Sequence, residues 1–184
     1  VATITVTEAL AEIKTIGKRL NKKQEYVQTL LARDSRIVDP LLKQGGSVEA
    51  VRADLQSIGD LETRLIQLRT AIQKANHDLR LTVQGKERSI MEWLTWRKEV
   101  APQRQRFVSQ MLNRLAQTRK EAQGKGITVA AAVATVDTGA SPVVQLLINL
   151  DEAALNKENE ELEQILGDLD GQLSLKNATS LIEV

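Results

Sequence analysis

Apolar residues recur seven apart at Val51, Ile58, Leu65, Ile72 and Leu79, and Leu61, Leu68 and Ala75 fall three residues further on. This 3-4 alternation, held for four heptads, predicts the seam of a long packed helix. From Ser47 to about Val83 the helix would run roughly 55 Å at 1.5 Å per residue. Ser47 is its expected N-cap. Glu62, Arg69 and Asn76 lie beside the stripe, and Asn76 borders the seam. Ahead of this helix, Val6, Ile13, Leu20 and Val27 also repeat at seven, with Leu10 and Leu31 on the partner positions. They predict a first helix over 8–33, opened by the capping box Thr5-x-x-Glu8, with Thr7 a rival N-cap. Gly17 inside it costs ~1 kcal/mol relative to Ala. Asp39-Pro40 and Gly45-Gly46 break the chain between the two helices.

Gln84-Gly85-Lys86 ends the second pattern, and Ser89-x-x-Glu92 opens a third helix over 89–123. Two adjacent rows share it. Leu94, Ala101, Val108 and Leu115 form one, and Trp93, Val100 and Phe107 the other. Together they make a stripe broad enough for two neighbours. Pro102 should kink this helix or start a new one near residue 101. The character changes after Gly124-Lys125-Gly126. Residues 127–137 and 143–150 read as two strands around the turn 138–142, pairing as a hairpin with Val143, Leu146 and Ile148 as its sheet residues. Asp151 then caps an acidic helix over 151–175 with Leu155, Leu162, Leu166, Leu169 and Leu173 facing inward. Residues 180–184 read as a last strand, and Val1–Val6 alternates like a short strand or arm.

The expected fold is therefore α+β, mainly α: long antiparallel heptad helices in a coiled-coil-like bundle, with a small β-hairpin or sheet near the C-terminal third. Its regions are an arm (1–7), a helical bundle (8–123), and a hairpin, acidic helix and terminal strand (124–184). Val51, Ile58, Leu65, Ile72, Leu79, Leu94, Val108 and Leu115 are the expected helix core or interface.

Composition supports helix-on-helix packing. Tyr26, Trp93, Trp96 and Phe107 are the only aromatic residues in the chain, so the core must be built from Leu, Ile, Val and Ala. The absence of cysteine excludes a disulfide framework and a thiolate metal site, and the single His77 disfavours an imidazole one. No apolar run reaches the ~18 residues that span a bilayer. Val1–Val6 is too short and lacks the basic start of a signal peptide. A soluble intracellular product is the expected default.

The net charge of +1 hides a division. Residues 1–63 carry nine basic and nine acidic side chains, residues 64–126 fourteen and five, and residues 127–184 two and ten. A +9 segment followed by a −8 segment suggests basic and acidic faces meeting within or between copies, in preference to a nucleic-acid partner.

The candidate chemistry is thin. Asp137-Thr138-Gly139-Ala140 after an apolar strand resembles the active-site loop of retroviral-type aspartic proteases. Those enzymes pair two such aspartates in an all-β domain; here the same residues read as hairpin-turn vocabulary. Trp93-Leu94-Thr95-Trp96-Arg97 invites base stacking, but Trp93 sits on a packing row. Trp96, Arg97, Arg104 and Arg106 remain as candidate contact residues. His77 lacks the base and orienter that catalysis needs. Gly124-Lys125-Gly126 is no phosphate loop. Glu158, Glu160, Glu161 and Glu163 read as a solvated helix face. No catalytic residue, metal or cofactor is implied.

Three stretches together resemble the septicolysin-like family of small bacterial and phage-borne proteins. They are Glu8-Ala9-Leu10 through Lys18-Arg19-Leu20, Leu65-Ile66-Gln67-Leu68-Arg69-Thr70-Ala71-Ile72-Gln73-Lys74-Ala75-Asn76, and Leu173-Ser174-Leu175-Lys176-Asn177-Ala178-Thr179. The family name implies a membrane-active cytolysin. Such sequences also look like structural proteins of tailed-phage particles. The expectation is a non-enzymatic structural protein of such a particle, a homo-oligomer that also meets other particle proteins. A cytolysin and a nucleic-acid-binding helical protein using the basic 64–126 segment are the alternatives.

Overall fold

The computed structural model describes residues 2–131 and 145–184. The chain is α+β and mainly α, with long helices and two-stranded sheets. Its contacts divide into two units, Val1–Arg80 with Gln172–Val184, and Leu81–Gly171.

In the first unit, β1 (Thr3–Thr5) leads into α1 (Val6–Thr29), and a connection carries the chain to α2 (Ser47–Asp78). The expected capping box is present. Thr5 accepts from the Glu8 backbone N–H while Glu8 Oε2 accepts from the Thr5 N–H at 2.7 Å. These bonds satisfy donors that the first helical turn leaves orphaned, and they hold the Glu8 carboxyl below its usual pKa. α1 and α2 run antiparallel. Arg64 clasps Glu12 through both carboxylate oxygens at 2.8 and 3.1 Å, and Lys23 meets Asp54 at 2.5 Å. Such partly exposed pairs add about 1 kcal/mol or less each, so their use here is to fix register.

The core of this unit gathers Val6, Ala9 and Ile16 from α1, Leu68 from α2 and Ile182 from the C-terminal strand β6 (Leu181–Glu183). β1 and β6 pair antiparallel with Ile4 opposite Ile182, so the two ends of the chain form one ribbon against the base of the helical hairpin. Both terminal strands were expected; their mutual pairing is non-local and was not. Of the expected seam, Val51, Ile58, Leu65 and Ile72 are half-buried and Leu68 is fully buried.

α2 stops at Asp78, short of the expected 83. Leu79 takes extended geometry, and Arg80–Val83 (β2) pairs with Lys86–Ser89 (β3). The cause lies in the turn. Gln84 and Gly85 both have positive φ, 49° and 76°, which makes a type I′ hairpin turn whose twist suits paired strands. Leu81 and Val83 are buried at alternate positions of β2. Leu79 continues the heptad spacing in sequence but has already left the helix.

In the second unit, Ser89 and Glu92 make the expected capping box for α3 (Ile90–Thr95). A π-helical turn, Trp96–Val100, follows, and then α4 (Ala101–Gly124). The N–H of Ala101 reaches back five residues to the Trp96 carbonyl. Pro102 has no N–H and its ring would crowd the Lys98 carbonyl in a regular α-helix, so the wide turn precedes it. One extra residue rotates the following helix by about 100°. The two apolar rows in the sequence are thus one row, displaced by a residue. Trp93 is buried, the stripe resumes at Ala101, Val108 and Ala122, and Val100 and Phe107 are left exposed. Leu94 and Leu115 are half-buried.

The expected hairpin over 127–150 is corrected. β4 (Thr128–Ala131) and β5 (Gln145–Ile148) pair in parallel, Val129 opposite Leu146 and Ala131 opposite Ile148. The remainder of that expectation, strand residues 132–137 and the turn 138–142, lies outside the described residues. Leu146 and Ile148 are half-buried, while Val143 lies outside the described residues. The Ile127 N–H bonds back to the Ala122 carbonyl at 2.9 Å, so the helix end and the strand are joined. Asp151 caps α5 (Glu152–Thr179) as expected, accepting from the N–H groups of Ala153 and Ala154. Leu155, Leu162, Leu169 and Leu173 of α5 are buried and Leu166 is half-buried.

Leu68→Ala should destabilise the protein by about 2–5 kcal/mol, the range for a truncated core leucine. Ile66→Ala, two positions away on the exposed side of α2, should stay within about 0.5 kcal/mol. Urea titration followed by circular dichroism measures both.

Candidate interaction surface

Among the described residues, no group of three or more His, Cys, Asp and Glu side chains is placed to hold a metal ion. His77 is exposed at the end of α2 with Nδ1 2.9 Å from the Asp78 carboxylate. Asp137 and its protease-like loop lie outside the described residues.

The Trp-Arg stretch has an architectural geometry. Trp93 donates its indole N–H to the Leu81 carbonyl at 3.1 Å, which pins α3 to the β2–β3 hairpin. The Arg88 guanidinium lies 5.0 Å over the Trp93 ring, and Trp96 meets that ring edge-on at 5.6 Å. Trp93 is therefore enclosed on several sides, and Trp96 is half-buried. Arg97 binds Asp170 at 2.5 Å, Arg104 binds Glu158, and Arg119 binds Glu152 at 2.5 Å. Gln84 adds a bond to Asp168 at 2.9 Å. These pairs set α5 antiparallel to the α3–α4 run. The basic and acidic segments meet within one chain, which is one of the two arrangements the charge division suggested. Of the four candidate contact residues, Arg97 and Arg104 are committed to carboxylates, and Arg106 stays exposed.

The connection between α1 and α2 has a different make-up. It begins after Thr29 and contains a short 3-10 turn, Leu42–Gln44. Several of its polar groups bond to one another at the surface. Arg33 donates to the Ile37 carbonyl at 2.6 Å, and Arg36 clasps Asp34. Asp39 accepts from the Leu41 N–H at 2.9 Å, the Ser47 N–H at 2.8 Å and the Ser47 hydroxyl at 2.6 Å. Ser47 was expected to cap α2 and instead occupies its first turn. Asp39, eight residues upstream, supplies the acceptor, and Gly45 and Gly46, both at positive φ, bring the chain round to it. The Ser47 hydroxyl and the backbone donors at Ser47 and Leu41 pull the Asp39 pKa from its ordinary value to about 2. With its polar atoms satisfied locally, the connection turns its aliphatic side chains outward. Leu31, Ile37, Val38, Leu42 and Val48 are each between 60% and 76% exposed.

In the sequence this aliphatic apex is masked by the breakers Asp39-Pro40 and Gly45-Gly46. The signal was there, since a connection normally carries polar residues and this one carries Leu, Ile and Val. A second feature was hidden by averaging. Lys14, Lys18 and Lys22 stand four apart on the exposed side of α1 with Arg19 beside them, inside a segment whose net charge is zero.

No protein-family model, curated protein or solved structure matches this chain.

Asp39→Asn should loosen the start of α2 and lower the melting temperature at neutral pH. A depressed carboxyl pKa contributes stability above the unfolded value near 4, and that contribution is lost as pH falls through about 2. The gap between wild type and variant should therefore be full at pH 7 and close between about pH 4 and 2. Thermal melts across that range, followed by circular dichroism, check it.

Proposed function

We propose that this chain is a non-enzymatic structural and assembly protein of a tailed-phage or phage-like particle, self-associating through its helices and strand edges. The observation that carries the reading is the open seam of α2. A single neighbouring helix covers one stripe of another. With α1 on that stripe, Val51, Ile58, Leu65 and Ile72 remain half-buried, and Val48, Leu55 and Ile66 are exposed. A helix of 32 residues, roughly 48 Å long, with apolar side chains left over on more than one face is completed by further helices. The two-stranded sheets add unpaired strand edges of the kind that recruit a neighbour. The resemblance to phage-borne helical proteins supplies the setting.

The nucleic-acid alternative loses support from the second unit, where Arg97, Arg104 and Arg119 are spent on carboxylates of α5. For the cytolysin alternative, no described helix is long and apolar enough to cross a membrane.

Light scattering at micromolar concentration should return a multiple of the 20.4 kDa chain mass. In producing cells the protein should sediment with the particle fraction. Replacing exposed Leu55 and Ile66 by Lys should lower the oligomer fraction while leaving the helical spectrum intact. A wild-type chain that stays monomeric and never sediments with particles overturns the reading.

A further inference from the structure

We infer that the apex of the α1–α2 hairpin is a two-fold contact, and that its partner is the same apex of a second copy of this chain. The inference rests on the self-assembly reading and goes beyond it by naming the surface and the symmetry.

The size of the apolar surface is the first support. Leu31, Ile37, Val38, Leu42 and Val48 all fall within one connection and its flanking residues, each between 60% and 76% exposed. Together they present on the order of 600 Å², the upper end of what a monomer normally leaves bare in its largest patch. A stable two-partner interface takes about 800 Å² from each side, an aliphatic centre plus a polar rim. The apex supplies that centre, and Ser35, Lys43 and Gln44, all exposed around it, supply rim.

The chemistry selects the partner. Arg33, Arg36, Asp34 and Asp39 are bonded to groups of their own connection. They leave no unpaired carboxylate and little net charge with which to recognise an oppositely charged protein or a phosphate backbone. An aliphatic centre whose neighbouring charges are paired locally is complementary to itself, and a two-fold axis brings the same patch from both copies together. A bilayer is the other apolar medium such a tip could enter. Interfacial segments are held there by aromatic rings and a strongly basic face. The connection from residue 30 to residue 46 contains no aromatic residue.

The constraints on geometry also fit. Asp39 fastens the connection to the first turn of α2 through two hydrogen bonds from Ser47 and accepts a third from Leu41 within the connection, so the apex is held in shape before it meets a partner. The N- and C-terminal strands lie at the opposite end of the hairpin, so neither obstructs the approach.

The chain has no cysteine, so single-cysteine variants report proximity without background. Ser35→Cys at the apex should be joined into a covalent dimer by a short bis-maleimide, and Thr70→Cys, exposed near the other end of α2, should not. Val38→Glu and Val48→Glu, made singly at exposed positions, should each weaken self-association at least about tenfold with the helical spectrum unchanged, as expected when a charge enters an interface centre. Vesicles of neutral and anionic phospholipid, mixed with wild type, should not sediment the protein.

Equal cross-linking of both cysteine variants overturns the inference, as does undiminished association of both glutamate variants or capture of the apex by vesicles. If wild type is oligomeric but the apex variants behave like it, assembly proceeds through another surface and only this inference fails. A wild type that is monomeric throughout removes both.

Discussion

Leu68 sits where α1, α2 and the paired chain ends converge, and the first unit is organised by its burial. Ala9 on α1 is small enough to let the helices close, and Ile16 fills the core two turns further on. Ile182, opposite Ile4 in the β1–β6 ribbon, seals the base. Take the ribbon away and the same seam would be open at both ends, since a hairpin of two helices has no third element of its own to cover it. The ion pairs Arg64–Glu12 and Lys23–Asp54 then choose one register among those the heptads permit. Apolar spacing thus makes the hairpin, and the charges and the ribbon make it unique.

The second unit depends on a single inserted residue. Without the π-helical turn at Trp96–Val100, Trp93 and Ala101 would be offset by about 80° around the helix, and one of them would face water. The wide turn brings both onto the buried side, and the same rotation exposes Val100 and Phe107. It also aligns Arg97, Arg104 and Arg119 along α5, where Asp170, Glu158 and Glu152 receive them. Local backbone geometry therefore settles which arginines face their carboxylates.

What could be read from the residues follows the range of the interactions. The capping boxes at Thr5 and Ser89, the Asp151 cap and the leucine row of α5 each rest on residues a few positions apart, and they were legible. The end of α2 was not, because Leu79 keeps the seven-residue spacing while Gln84-Gly85, five residues on, demands a hairpin. Strand pairing was the least legible. β4 beside β5 suggested a hairpin by proximity, yet they pair in parallel, and β1 found its partner at the far end of the chain. The apex was obscured by its own glycines and proline, which announce a turn and say nothing about which way its aliphatic side chains face. Charge was legible in blocks but not in detail. The +9 and −8 segments proved to be partners, while the lysine row of α1 vanished into a sum of zero.

The internal pairing of charge bears on how copies would meet. A protein that displayed its basic segment freely would be drawn to any polyanion, with an attraction that weakens in salt. Here several of the strongest cations are held by the chain's own carboxylates, so long-range attraction is damped. Beside the basic row of α1, aliphatic side chains also remain outside, on the uncovered side of α2 and at the apex between α1 and α2. Contacts made from such surfaces act only at short range and require matching shape. On the proposed self-assembly reading, uncovered apolar side chains of this kind select a close-fitting neighbour rather than a diffuse field of charge.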